Sequence, residues 1–206
     1  SSREVSQEMS PDERASFVES IVLHTEVFER AVSAIETLIS RQGALAVPGG
    51  LRICGPGGVG KSFILKTILS RYPRHDDGLS IDCPVVEISF GRSPTPASFA
   101  AEIMRRLGDS FGIGSSRSEY HLEMLTDAFA QCSTRLLVID EAHELVPSSG
   151  PRRNQDRLAG ATGDFIKALY DRSGVPIVWS GLSTLNLLFE SDAQLSSRWP
   201  GRIDIR

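Results

Sequence analysis

A chain of 206 residues, 40% hydrophobic and 23% charged with a net charge of -4, is long enough for one sizeable core, and folding at this size buries about 70% of the surface an unfolded chain exposes. Three cysteines, Cys54, Cys83 and Cys132, are odd in number and lack paired ligand spacing, so neither a disulfide framework nor a zinc site follows, and a reducing, cytoplasmic setting is expected. No apolar run approaches the roughly 18 residues of a membrane span, so no membrane partner is expected, and the acidic balance excludes a whole-domain basic footprint and leaves any nucleic-acid contact to a local patch.

Residues 1–10, SSREVSQEMS, read as a flexible, polar N-terminus. Residues 11–42 read as a helical segment in two parts. Ser10-Pro11-Asp12-Glu13 is a capping box with proline at the first helical position. From about Thr25, the apolar residues Val27, Phe28, Ala31, Val32, Ile35, Leu38 and Ile39 recur at helical spacing. The breaker stretch from Gln42 to Gly50 ends that pattern, and an α/β core is expected over residues 43–206. Short apolar runs at Leu51–Cys54, Pro84–Phe90, Arg135–Asp140 and Val175–Ser180 alternate with helical patterns at Lys61–Arg71, Pro96–Leu107 (capped by Thr95), Glu119–Gln131 and Gly163–Asp171. Arg202–Arg206 supplies a fifth strand. This alternation predicts βαβ units: a five-stranded parallel sheet between two helical layers.

The phosphate-binding signature lies between the first strand and the helix behind it. Gly55-Pro56-Gly57-Gly58-Val59-Gly60-Lys61-Ser62, followed by Phe63, satisfies G-x-x-x-x-G-K-[ST] at every position. Glycines let backbone N–H groups close round a phosphate, and the helix N-terminus adds partial positive charge. Lys61, one of only three lysines in the chain, is predicted to reach the β- and γ-phosphates, and the Ser62 hydroxyl to ligate Mg2+.

The third strand, Leu136-Leu137-Val138-Ile139, ends on Asp140-Glu141. Carboxylates without partners are not tolerated inside a sheet, so both are expected at its C-terminal edge, where ligands of open α/β sheets bind. Asp140 is then the metal-holding acid and Glu141 the group that polarises an attacking water. Asp140-Glu141-Ala142-His143 spells a helicase-like motif, but two tandem motor domains do not fit in this length. No guanine-reading N-K-x-D is present, which points to ATP. His143 is read as orienting its neighbours, since His24, His75 and His121 show no ligand spacing with it.

With these motifs in hand, the chain resembles the AAA+ ATPases of the TniB/TnsC transposition-regulator family, closest to TniB, from about Pro11 to Arg206. The resemblance rests on GPGGVGKS at 55–62, LLVIDEAHEL at 136–145, VPIVWSGLSTL at 175–185, and the pattern Asp192-x-Gln194-Leu195-x-x-Arg198 followed by Trp199. It implies a three-layer P-loop core of AAA+ type, Mg2+-dependent ATP hydrolysis, and a homo-oligomeric ring or filament. It also implies non-specific binding of double-stranded DNA and communication with a transposase. Arg198 takes the role of an arginine acting on the neighbouring subunit's nucleotide. Family members carry a polar sensor after the glycine ending the fourth strand; here Leu182 follows Gly181, leaving Ser180, Ser183 or Thr184, with Ser183 as the candidate. The family's C-terminal helical lid is expected to be missing from this chain: either it lies beyond these residues or this member dispenses with it. Arg152, Arg153 and Arg157, in the loop after the acidic pair, are the candidate DNA contacts, since arginine's planar fork pairs with phosphates. Two other readings share the core: a secretion or cell-envelope ATPase of the ExeA type, and a non-catalytic scaffold switched by ATP.

Overall fold

The computed structural model describes residues 26–44, 47–89, 94–108, 118–145 and 160–206. The capping box at Ser10, Phe90 at the end of the second run, and Arg152, Arg153 and Arg157 lie outside these residues. The described chain opens with α1 (Glu26–Arg41), β1 (Gly50–Cys54) and α2 (Lys61–Arg71), followed by a short hairpin of β2 (His75–Asp76) and β3 (Ile81–Asp82). Next come β4 (Val85–Ser89), α3 (Pro96–Leu107), α4 (Ser118–Gln131), β5 (Leu136–Asp140), a 3-10 turn at Ala142–Leu145 and α5 (Ala161–Ser173). The chain then runs through β6 (Ile177–Gly181), α6 (Leu185–Ser191), α7 (Ala193–Arg198) and β7 (Gly201–Asp204).

The main sheet has the order β4-β5-β6-β1-β7, and every pair in it is parallel. Parallel strands are covered on both faces, which is why these runs are almost uninterruptedly apolar. Residue alternation divides each strand between the two faces. Leu51, Ile53, Val85, Val138 and Val178 face α1 and α2, where Phe28, Ile35, Ile64, Leu65 and Ile68 complete one core layer. Val86, Ile88, Leu137, Ile139, Ile177 and Trp179 face α3 to α7 and form the other. The expected five-stranded, three-layer α/β architecture is what the chain adopts.

Local chemistry fixes the element ends. Thr95 caps α3 through a reciprocal pair of bonds with Ser98, with Pro96 at the first turn and Gly108 in the left-handed region at its end. The last helices are held by an aromatic cluster: Trp199 lies with its ring centroid 5.1 Å from that of Trp179 and 4.8 Å from that of Tyr170, and is fully buried. That packing anchors the C-terminal end of α7 immediately after Arg198. The connection from β1 leaves for the far edge strand β4, whereas that from β6 passes over β1 to β7. The chain therefore changes direction at β1, and ligands of open α/β sheets bind in the crevice at such a point.

Candidate functional site

A cleft of about 450 Å³ opens there, at the C-terminal ends of β1, β5 and β6, lined by Gly57, Gly58, Gly60, Lys61, Ser62, Phe63, Lys66, Glu141, His143 and Leu182. Its floor is the loop Gly55–Gly60. Gly58 and Gly60 have φ of 78° and 97°, a left-handed conformation that glycine adopts without steric penalty. Gly55 donates its N–H to the Gly181 carbonyl at 3.2 Å, and a side chain at Gly55 would collide with the carbonyl oxygen of Ile205. The loop is thus clamped between the end of β6 and the chain leaving β7, where Ile205 N–H donates to Cys54 O at 2.8 Å.

Lys61, at the start of α2, is 9% exposed. Its Nζ donates to Gly55 O at 2.8 Å and to Pro56 O at 2.6 Å, which pulls the loop round the ammonium and leaves one of its three donors. The first N–H groups of α2 have no carbonyl in a preceding helical turn to receive them. Loop, lysine and helix end therefore present convergent donors and positive charge, an arrangement suited to a phosphate chain.

An acidic corner adjoins this donor set. Asp140 ends β5 on the same sheet face as Val138, Ser180 follows Val178 on that face of β6, and Glu87 follows Val85 on that face of β4, so all three face the α2 layer. Glu87 is held above the ordinary glutamate range, first by burial and then by Asp140, with Arg106 and Lys66 opposing. Ser180 Oγ is buried without a hydrogen-bond partner. Ser62 lines the cleft and Asp140 ends β5 beside Glu141, and both offer oxygen donors, the kind that suits Mg2+ and does not suit a soft metal. By the chemistry of these oxygen donors, Ser62 and Asp140 fit a magnesium-nucleotide complex. Among the described residues, no cluster of three or more His, Cys, Asp or Glu forms a separate protein-only metal cage.

The turn after β5 brings in the remaining wall. Glu141 has φ of 52°, a left-handed conformation that costs an L-residue roughly 1–2 kcal/mol, and its side chain is 53% exposed. His143 Nδ1 lies 3.3 Å from Glu141 Oε2 and accepts the N–H of Leu182 at 3.4 Å. A Cβ on Gly181 would come within 3.1 Å of the His143 backbone nitrogen and 3.3 Å of its Nδ1, so glycine at this strand end allows the turn to press against β6.

The structure therefore brings Gly57, Gly58, Gly60–Phe63 and Glu141 into one cleft, with Gly55 clamped beneath it and Asp140 next to Glu141 at the end of β5. It does not bring Ser183 into the cleft: Ser183 is exposed, and the wall at that level is Leu182 and His143. Glu87 and Lys66 are neighbours that sequence reasoning missed; Glu87 has no local motif and meets Asp140 only through the β4/β5 register. Arg198 stands outside its own chain's cleft, paired with Asp171 through Nε at 3.1 Å and Nη2 at 2.7 Å. Other residues of its motif have structural tasks. Asp192 caps α7 by accepting from Gln194 and Leu195 N–H groups. Lys167 Nζ lies 2.9 Å from Asp164, 3.4 Å from Gln194 Oε1 and 3.8 Å from Asp192. Arg105 and Arg106 both pair with Glu102.

Comparison with solved structures identifies the fold. The Aeropyrum pernix ORC2 protein in its ADPNP-ADP complexes matches with a TM-score of 0.59 at 16% identity over 86% of this chain and 46% of that one. The Aeropyrum pernix ORC1 protein in complex with DNA matches with 0.56 at 16% identity over 91% and 49%. Cdc6p from Pyrobaculum aerophilum matches with 0.58 at 15% identity over 86% and 44%. The chain thus spans about half the length of these proteins, and what it shares with them is the AAA+ P-loop fold. A search of curated protein sequences finds no match. The family model for the bacterial TniB protein matches residues 15–202, nearly the whole chain, and the chain belongs to the TniB family.

Proposed function

We propose that this protein binds ATP with Mg2+ in the cleft and hydrolyses it, as an accessory ATPase of DNA transposition. The observation that carries the reading is the convergence of the Gly55–Ser62 loop, Asp140 and Glu141 at the point where the sheet changes direction. Loop N–H groups, Lys61 and the start of α2 hold the phosphates, with Phe63 behind them. Ser62 and Asp140 would hold the metal, which when bound would draw electron density from the phosphate oxygens. Glu141, aimed by its left-handed turn, orients and deprotonates water for attack. Arg198 serves a neighbour's site in a ring or filament, released there from its partly exposed pair with Asp171.

Duplex DNA, held without sequence preference, and a transposase are the partners in this reading. Family membership supports it, as does the similarity to an ORC1 protein described in complex with DNA. Arg152, Arg153 and Arg157 are the proposed backbone contacts. The test is DNA binding with and without ATP over a salt series. Binding that requires ATP, ignores base sequence and weakens steeply with salt supports the role. ATP turnover with no DNA binding at any salt overturns the DNA role and leaves an envelope-type ATPase; neither turnover nor DNA binding leaves the scaffold.

A further inference from the structure

The geometry points to His143 as a positioning residue that transmits nucleotide occupancy at Leu182 to Glu141. The inference rests on the ATPase reading above and names what reports the nucleotide to the group that activates water. Two observations carry it. The residue after Gly181, where a polar side chain was expected, is Leu182, and its backbone N–H is directed at His143 Nδ1 at 3.4 Å. The same Nδ1 is 3.3 Å from Glu141 Oε2. Both His143 and Leu182 line the cleft.

A single imidazole nitrogen does not serve both neighbours at once. Nδ1 without a proton accepts from Leu182 N–H but turns a lone pair toward the Glu141 carboxylate. Nδ1 with a proton donates to Glu141 but loses Leu182 as a donor. The nearly equal separations place Nδ1 between a donor and an acceptor that compete for it. The arrangements are two states of one neutral ring. In the first, the proton is on Nε2, which lies 3.8 Å from Glu144 Oε1, and Glu141 is not held. In the second, the proton is on Nδ1 and fixes one Glu141 oxygen, leaving the other directed at water; the Leu182 N–H is then free for another acceptor. Passage between them releases the Nε2 proton to solvent beside Glu144 and takes one up from solvent at Nδ1, with no change in net charge.

A phosphate oxygen entering the cleft is such an acceptor. Once it takes the Leu182 N–H, the second state gains and Glu141 is gripped. A nucleotide lacking that phosphate leaves the N–H with His143. Gly181 is essential to the arrangement, because any side chain there would press on the ring and on the turn that carries it.

The experiment is nitrogen NMR of histidine-labelled full-length protein with Mg-ADP and with a non-hydrolysable Mg-ATP analogue, alongside steady-state kinetics of H143A and H143N. His143 should move from an unprotonated Nδ1 with ADP to a protonated Nδ1 with the analogue. H143A should lower kcat about ten- to a hundredfold, the scale of a misplaced catalytic group, with KM and melting temperature little changed. H143N should recover most of the rate, because an amide oxygen accepts from Leu182 while its NH2 donates to Glu141. A His143 tautomer that is the same with both nucleotides, or H143A turnover equal to wild type, overturns the proposal. If the wild-type protein releases no phosphate, the ATPase reading has failed, and the NMR comparison alone decides: a tautomer that follows the nucleotide upholds the relay, and one that does not overturns it.

Discussion

Glu141 sits in a left-handed backbone conformation with φ of 52°, and E141G tests whether that strain is held for function. The conformation costs an L-residue roughly 1–2 kcal/mol. Glycine removes it but adds about 0.5–1 kcal/mol of unfolded-chain entropy. The Glu141 side chain is half exposed and its contact with His143 is near the surface, so little packing is lost. The net expectation is a gain of about 0.5–1 kcal/mol. At about 2–4 °C per kcal/mol for a chain of this size, the melting temperature should rise by about 1–4 °C. Hydrolysis should fall by about a hundredfold or more as the general base is removed. Ser133, exposed and with the same φ of 52°, is the internal control: S133G should stabilise to a similar degree and leave turnover intact. Calorimetry on both variants, with phosphate release measured in parallel, reads the effect. A lower melting temperature for E141G beside a raised one for S133G would refute the strain argument.

Burial and Asp140 raise the Glu87 carboxyl above its ordinary range, so ionised Glu87 destabilises the fold at pH above its raised value. That penalty disappears as pH falls below the ordinary glutamate value of about 4.3. E87Q should therefore melt higher than wild type at pH 7–8, with the difference closing toward pH ~4; a difference that grows on acidification contradicts the assignment. A methyl group at Gly55 meets the backbone carbonyl of Ile205, so G55A should lose about 1–3 kcal/mol of stability and most nucleotide affinity, read by thermal melts with and without Mg-ATP. R198A should bind ATP normally and hydrolyse it poorly. Mixing it with K61A protein should restore part of the turnover; mixed oligomers that form without rescue count against action on a neighbouring subunit.

The strands and the phosphate loop were legible because their signals are local. Leu51–Cys54 runs straight into the glycine loop, and Leu136–Ile139 ends on two carboxylates; each strand-to-ligand junction is written within about ten residues. The strand order was not legible, and with it went Glu87 and the face on which Ser180 lies: both stand beside Asp140 toward α2 only once β4, β5 and β6 are paired. Helices α6 and α7 are 7 and 6 residues long, too short for a helical period to stand out. They depend on tertiary burial of Leu185, Phe189, Leu195 and Trp199. The expectation of a sensor side chain after Gly181 was reasonable from position, but the side chain in the cleft comes from the turn after β5. His143 reaches there because Gly181 lets the two segments touch, a contact with no signature in either segment.

The central claim, that Lys61 holds the phosphates while Glu141 acts only when water attacks, is tested most directly by comparing Mg-ATP binding and single-turnover hydrolysis in wild type, K61A and E141Q. A ground-state contact and a transition-state group separate cleanly in such data. The account predicts loss of ATP binding in K61A, and in E141Q binding within about threefold of wild type with hydrolysis reduced by about a hundredfold or more. Equal ATP affinity in wild type and K61A, or wild-type hydrolysis by E141Q, would contradict it.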